Sequence, residues 1–108
     1  MNFKKLELNF KEIKTLNDMH SMLKERFGFP DFYGNNVNAL IDCLSSLRYP
    51  DHEMSDFLLD STDDVLIIEL KNFSTCENIV VNHFLTAIMG TNNKDRETNN
   101  SPSIYLSL

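Results

Sequence analysis

Val65-Leu66-Ile67-Ile68-Glu69-Leu70 is a near-continuous apolar run set behind the polar Ser61-Thr62-Asp63-Asp64. Runs of this kind belong to central strands of parallel sheets, covered on both faces. Downstream, residues 74–89 carry Ile79, Val80, His83, Phe84, Ala87 and Ile88 at the spacing of an inward helical stripe, with Gly90 as the expected stop. Residues 91–102 are polar and read as a loop, and Ser103-Ile104-Tyr105-Leu106-Ser107-Leu108 closes the chain as a strand.

Upstream, residues 48–64 are turn-rich and acidic, with Phe57-Leu58-Leu59 as a short anchoring turn. Before them a helix is expected from Asn35 or Asn36 to about Leu47, burying Val37, Leu40, Leu44 and Leu47, with Ala39 and Cys43 at the stripe's margins. Asn38, Ile41, Asp42 and Ser45 fall on its other side. Gly28-Phe29-Pro30-Asp31 is a turn, because proline biases the residue before it toward extended geometry. An earlier helix starts at Thr15, with Asp18 at capping-box distance and Leu16, Met19, Leu23 and Phe27 as its apolar stripe. Phe3, Leu6, Leu8 and Phe10 mark a first strand. Strand, two helices, strand, helix, strand predicts an α/β fold: a small, mostly parallel three-stranded sheet flanked by about three helices, in one domain spanning residues 1–108.

The chain has 108 residues and a net charge of −6. That charge is unevenly placed. Residues 1–28 are net +2 and residues 70–108 neutral, while residues 29–69 hold nine carboxylates against Arg48 alone, a balance of −8. An acidic middle argues against nucleic-acid binding, which needs a basic footprint. It suits either a basic protein partner, whose approach it would steer, or a merely solubilising surface. No apolar stretch is long enough to span a membrane, and Met1-Asn2-Phe3-Lys4-Lys5 leads into a strand without a signal-peptide core, so a cytoplasmic location is expected. Cys43 and Cys76 lie outside any metal-ligand spacing and read as reduced thiols; no metal or cofactor is expected.

No catalytic set assembles from these residues. There is no phosphate-binding glycine loop, no H-E-x-x-H and no G-x-S-x-G. His20 and His83 lie beside or within apolar stripes and read as packed or capping residues, and His52 as a surface residue of the acidic loop. A binding protein is therefore expected, not an enzyme. The informative run is Phe29-Pro30-Asp31-Phe32-Tyr33-Gly34-Asn35-Asn36-Val37-Asn38-Ala39-Leu40-Ile41-Asp42-Cys43-Leu44. It joins an aromatic, glycine-bearing loop to a helix whose outer face offers an amide, a carboxylate, a hydroxyl and an exposed aliphatic. Phe32 and Tyr33 either supply rigid contact area to a partner or staple the helix to the core. Asp42 either enters a partner's cationic pocket or is simply solvated.

This run resembles the signature of the barstar family, intracellular inhibitors of barnase-like ribonucleases. The likeness extends upstream through Leu16-Asn17-Asp18-Met19-His20-Ser21-Met22-Leu23-Lys24 and, more loosely, to the two later strands. It implies a barstar-like fold and a tight complex with a basic, secreted ribonuclease or toxin domain, in which loop and helix plug the active site and acids stand in for substrate phosphates. It places Asp42 on the carboxylate that enters the nuclease's basic pocket. Phe32, Gly34, Asn36, Val37, Asn38, Ala39, Ile41 and Ser45 fall on interface positions. Three departures accompany it: Asn38 replaces a second key aspartate, Ile41 replaces a tryptophan, and Thr86 stands where an interface glutamate is expected. Residues 48–64 read as an acid-rich insertion. Poor inhibition of the archetypal nuclease and a cognate toxin of its own are the expectation, since a buried charge without its partner is costly. The alternative keeps the fold but gives it a partner that is not a nuclease.

Overall fold

The computed structural model describes residues 2–108; Met1, where the N-terminal stretch read above begins, lies outside them. Three strands, β1 (Phe3–Asn9), β2 (Val65–Lys71) and β3 (Ile104–Ser107), form one sheet in the order β1-β2-β3. Both pairings are parallel, with Leu6, Ile68 and Leu106 in one register row. The apolar run is the central strand, as expected. Its two faces are not equally covered: Val65, Leu66, Ile68 and Leu70 are buried, whereas Ile67 and Glu69 are half-buried. The expectation of full cover on both faces is corrected to that extent.

Parallel strands need helical crossovers, and the described residues supply three α-helices. Helix α1 (Leu16–Phe27) begins at the predicted capping box. The Thr15 side chain accepts from the Asp18 amide, and the Asp18 carboxylate accepts from the Thr15 amide. It ends at Gly28, whose φ of 71° is the left-handed geometry that favours glycine. Met19, His20, Leu23 and Phe27 are its buried face. Helix α2 (Val37–Ser45) starts where Asn36 accepts from the Ala39 amide at 2.8 Å, and buries Leu40, Cys43 and Leu44.

Helix α3 (Asn78–Glu97) departs most from expectation. Residues 73–75 are a separate 3-10 turn, and the helix continues through Gly90 to Glu97, so most of the predicted 91–102 loop is helical. Gly90 does not stop the helix because it serves packing. A Cβ placed there would lie 2.5 Å from Ile41 Cδ1, so the missing side chain is what lets α2 seat on α3. Beyond it the inward positions are polar but satisfied. Thr91 Oγ1 donates to the Ala87 carbonyl, Asn92 bonds both the amide and the carbonyl of Ile104, and the Asp95 carboxylate accepts from the amide and hydroxyl of Ser103. The Asn92 and Asp95 bonds tie the end of α3 to the start of β3. Ile79, expected inward, is exposed instead.

The core is one cluster that runs from Leu8 and Phe10 through Met19, Leu23, Leu40, Leu44, Leu66 and Ile68 to Phe84 and Ala87. Residues 57–59 anchor the acidic segment as expected, though without forming a turn: Leu59 is buried, and its amide donates to the Leu47 carbonyl. Arg48 is buried as well. Its guanidinium donates to the carbonyls of Asp64, Ser101 and Pro102, holding the loop before β2 to the loop before β3. Among the described residues, no helix is long and apolar enough to cross a membrane.

Candidate partner-binding face

The turn between α1 and α2 sorts its aromatic residues by direction. Phe29 is stacked on Phe27 with ring centres 5.3 Å apart, and Tyr33 packs on Phe29 at 4.9 Å. The Tyr33 amide donates to the Pro30 carbonyl at 3.0 Å, which closes the turn. Tyr33 is therefore buried, whereas Phe32 stands 75% exposed. The two readings of this pair divide between them: Tyr33 staples the turn, and Phe32 projects. Asn35 takes a left-handed φ of 53°, a geometry asparagine tolerates, and Asn36 Nδ2 donates to the Gly34 carbonyl. Together they turn the chain into α2.

Of the residues singled out, Phe32, Gly34, Asn36, Asn38 and Asp42 are exposed, and Val37, Ala39, Ile41 and Ser45 are half-buried. Ile41 was expected as an exposed aliphatic; it instead lies against α3 over Gly90 and packs on the core. The Ser45 hydroxyl is turned back onto the Ile41 carbonyl. Asn38 and Asp42 share an exposed strip of helix one turn apart, as their spacing requires. Val37 lines a shallow groove with Ile79, Asn82, His83 and Thr86 of α3.

Asp42 has a neighbour that the sequence did not single out. Lys94 Nζ lies 3.3 Å from Asp42 Oδ1, delivered there by the extension of α3. The signal was present: residues 91–97 contain neither glycine nor proline, and Lys94 and Arg96 suit a helix C-terminus, where the macrodipole favours cations. Behind Asp42, burial pushes the Cys43 thiol up to about 11, so it stays protonated and unreactive.

The acidic segment abuts the same turn. The Asp56 and Phe57 amides both donate to the Phe27 carbonyl, pinning the segment to the end of α1. Asp31, Glu53 and Asp56 rim a hollow floored by Gly28, Phe29 and Pro30. Of these acids, Asp31 has a distant cation, Lys24 at 3.9 Å. His52, in the same segment, stacks on Tyr49 and meets the Ser46 hydroxyl through Nδ1. Among the described residues, no group of three or more potential ligands could hold a metal ion.

Residues 3–87 match the model of the family described as "Barstar (barnase inhibitor)". The chain belongs to the barstar family. It is also similar to a Bacillus subtilis (strain 168) protein named "Putative ribonuclease inhibitor YrdF", with 34% identity over 71 residues, covering 58% of this chain and 78% of that one. The family match takes in β1, α1, the aromatic turn, α2, β2 and the first half of α3. The end of α3, with Lys94, and β3 lie beyond it.

Proposed function

We propose that this barstar-family chain is an inhibitor or immunity protein of a basic, barnase-like ribonuclease in the cytoplasm, and that it works by occlusion rather than catalysis. The turn around Phe32 and the exposed strip of α2 would enter the nuclease's active site, with Asp42 meeting the cations that otherwise hold RNA phosphates. Residues 48–64, which we read as an acid-rich insertion, would lie beside that contact and steer the approach of a basic surface. Phe32, Gly34, Asn36, Val37, Asn38, Ala39, Ile41, Asp42 and Ser45 are the proposed contact residues. The observation that carries this reading is the exposure of Asp42, with Asn38, on a helix whose other face is packed against the core, together with a Phe32 that projects from the turn before it. Buried aromatic and charged anchors of this type dominate tight interfaces.

The test is inhibition of an isolated barnase-like ribonuclease, taken from the organism that encodes this chain, by stoichiometric amounts of the purified protein. Loss of RNA cleavage at a one-to-one ratio supports the reading. Unchanged cleavage by every such enzyme of that organism contradicts it.

A second reading gives the same face a partner that is not a nuclease. Lys94 favours it, because the ion pair neutralises the carboxylate that would otherwise match a purely cationic pocket. Recovery of a partner without nuclease activity would decide for this alternative.

A further inference from the structure

Behind the aromatic turn, two imidazoles and a phenol form a chain. His20 of α1 is 1% exposed. Its Nδ1 lies 2.5 Å from the Tyr33 hydroxyl, and its Nε2 lies 3.3 Å from Nε2 of His83 on α3. The two rings meet edge to face. His83 is half-buried and opens on the groove beside Val37, so a proton from solvent reaches the chain there first.

Counting protons fixes how the chain is wired. Only one hydrogen fits between two Nε2 atoms that face each other at this distance. Among the described residues the Tyr33 hydroxyl has no side-chain partner but His20. One arrangement satisfies every member: Tyr33 donates to His20 Nδ1, His20 Nε2–H donates to His83 Nε2, and His83 keeps its own hydrogen on Nδ1. Protonating His83 places a second hydrogen on its Nε2, facing the one on His20. The two rings then separate, or His20 moves its hydrogen to Nδ1 and the buried Tyr33 hydroxyl loses its acceptor. In the first case His20 loses the partner that fixes its ring against Tyr33, and in the second Tyr33 loses its acceptor. The hold on Tyr33, the residue that staples the turn, weakens by either route.

We propose that His83 is a positioning residue for the aromatic turn, holding Tyr33 through His20, and that protonation of His83 releases that hold. The consequence for partner binding, weaker inhibition in acid, rests on the function proposed above. Few other charges bear on the cluster. On α1, Lys24 lies one turn beyond His20 and is directed toward Asp31. On α2, the Cys43 thiol acts on Tyr33 electrostatically, and Asp42 is paired with Lys94. On α3, the groove positions beside His83 are Asn82 and Thr86. Among the described residues neither imidazole hydrogen-bonds a carboxylate that would favour its cation. Burial, and then the neighbouring His83, hold His20 below the usual imidazole value, in keeping with a chain built for neutral rings.

The test uses the full chain without any partner: NMR of the imidazoles and backbone amides from about pH 7.5 to about pH 5, the range in which histidine titrates. The expected result is that amides of residues 32–36 shift, and that their exchange, corrected for intrinsic rates, rises roughly tenfold with the midpoint of the His83 ring. In His83→Gln the side-chain oxygen still accepts from His20 but does not titrate, so the response of the turn should vanish while the neutral-pH spectrum is kept. A turn indifferent to pH, a midpoint different from that of His83, or an unchanged response in His83→Gln would overturn the proposal. If that variant fails to fold, the wild-type midpoints alone decide. Absence of ribonuclease binding would leave every one of these outcomes unaffected.

Discussion

Lys94 and Asp42, 52 positions apart in sequence, meet across the α2–α3 interface at 3.3 Å. The contact exists because α3 runs past Gly90, and Gly90 in turn is the residue that lets Ile41 seat. One small residue thus brings a base to the carboxylate proposed to do the binding. Both side chains are about half-exposed, at 49% and 63%, so the pair itself contributes little to stability.

Replacing Lys94 with Met should therefore change the unfolding free energy by less than about 1 kcal/mol, the usual ceiling for an exposed pair. Association with a basic ribonuclease should instead speed up, because Asp42 loses its internal counter-ion. Stopped-flow kinetics at low and high salt would check this. The acceleration should fade as salt screens the field, and a slower association in the variant would contradict it.

Gly90→Ala sets helix propensity against packing. Alanine gains about 1 kcal/mol over glycine inside a helix, but its methyl would press on Ile41 Cδ1. In the wild type the two effects should nearly cancel, since overpacking costs about 1–3 kcal/mol when it cannot relax and the end of Ile41 can turn aside. In an Ile41→Val background the same change should stabilise by about 1 kcal/mol. Urea unfolding of the four proteins completes the cycle; identical effects in both backgrounds would exclude the contact as the cause.

Stability should fall as the solution becomes mildly acidic. The folded state holds His20 below its usual 6.5, chiefly by burial, so the unfolded chain binds the proton more readily. The contribution of neutral His20 is fully present above about 6.5 and is lost as pH falls through the lower, folded value. Asp18 and Asp64, held below 3.8 mainly by backbone N–H donors, lose their contributions only at more acidic pH. Urea midpoints at about pH 7.5 and about pH 5.5 should differ in the wild type and converge in His20→Gln. An equal slope in both would assign the effect to other groups.

Arg48→Lys should destabilise by about 2 kcal/mol, because an ammonium cannot reach three carbonyls in the fork that the guanidinium spans. The loss should appear in hydrogen exchange at Leu66, whose amide donates to the Ser103 carbonyl next to this clamp. Exchange unchanged there would mean that the clamp does not hold β3.

The sequence carried most of the architecture because its local signals agree with the final packing. Thr15 and Asp18 cap α1, Gly28 ends it in the left-handed region, and the 65–70 run becomes the central strand. What it did not carry depends on contacts between distant residues. Gly90 reads as a stop until Ile41 is seen against it, and Asn92 and Asp95 read as loop until their partners on the chain around β3 are known. The outer strip of α2 with Asp42 was visible from helix spacing, whereas which of Phe32 and Tyr33 projects was decided only by the packing of Tyr33 on Phe29. Lys94 was hidden by the same misplaced helix end. The link from His83 through His20 to Tyr33 joins three elements, and no periodicity announces it.

The central claim is that the Asp42 carboxylate, not merely the family fold, engages a basic ribonuclease. Calorimetric titration of the cognate enzyme with wild type and with Asp42→Ala tests it most directly. Affinity should drop by roughly 2–5 kcal/mol, the range for removing one member of a buried charge pair, with unfolding stability left nearly unchanged. Equal affinity of the two proteins for the enzyme would contradict the account.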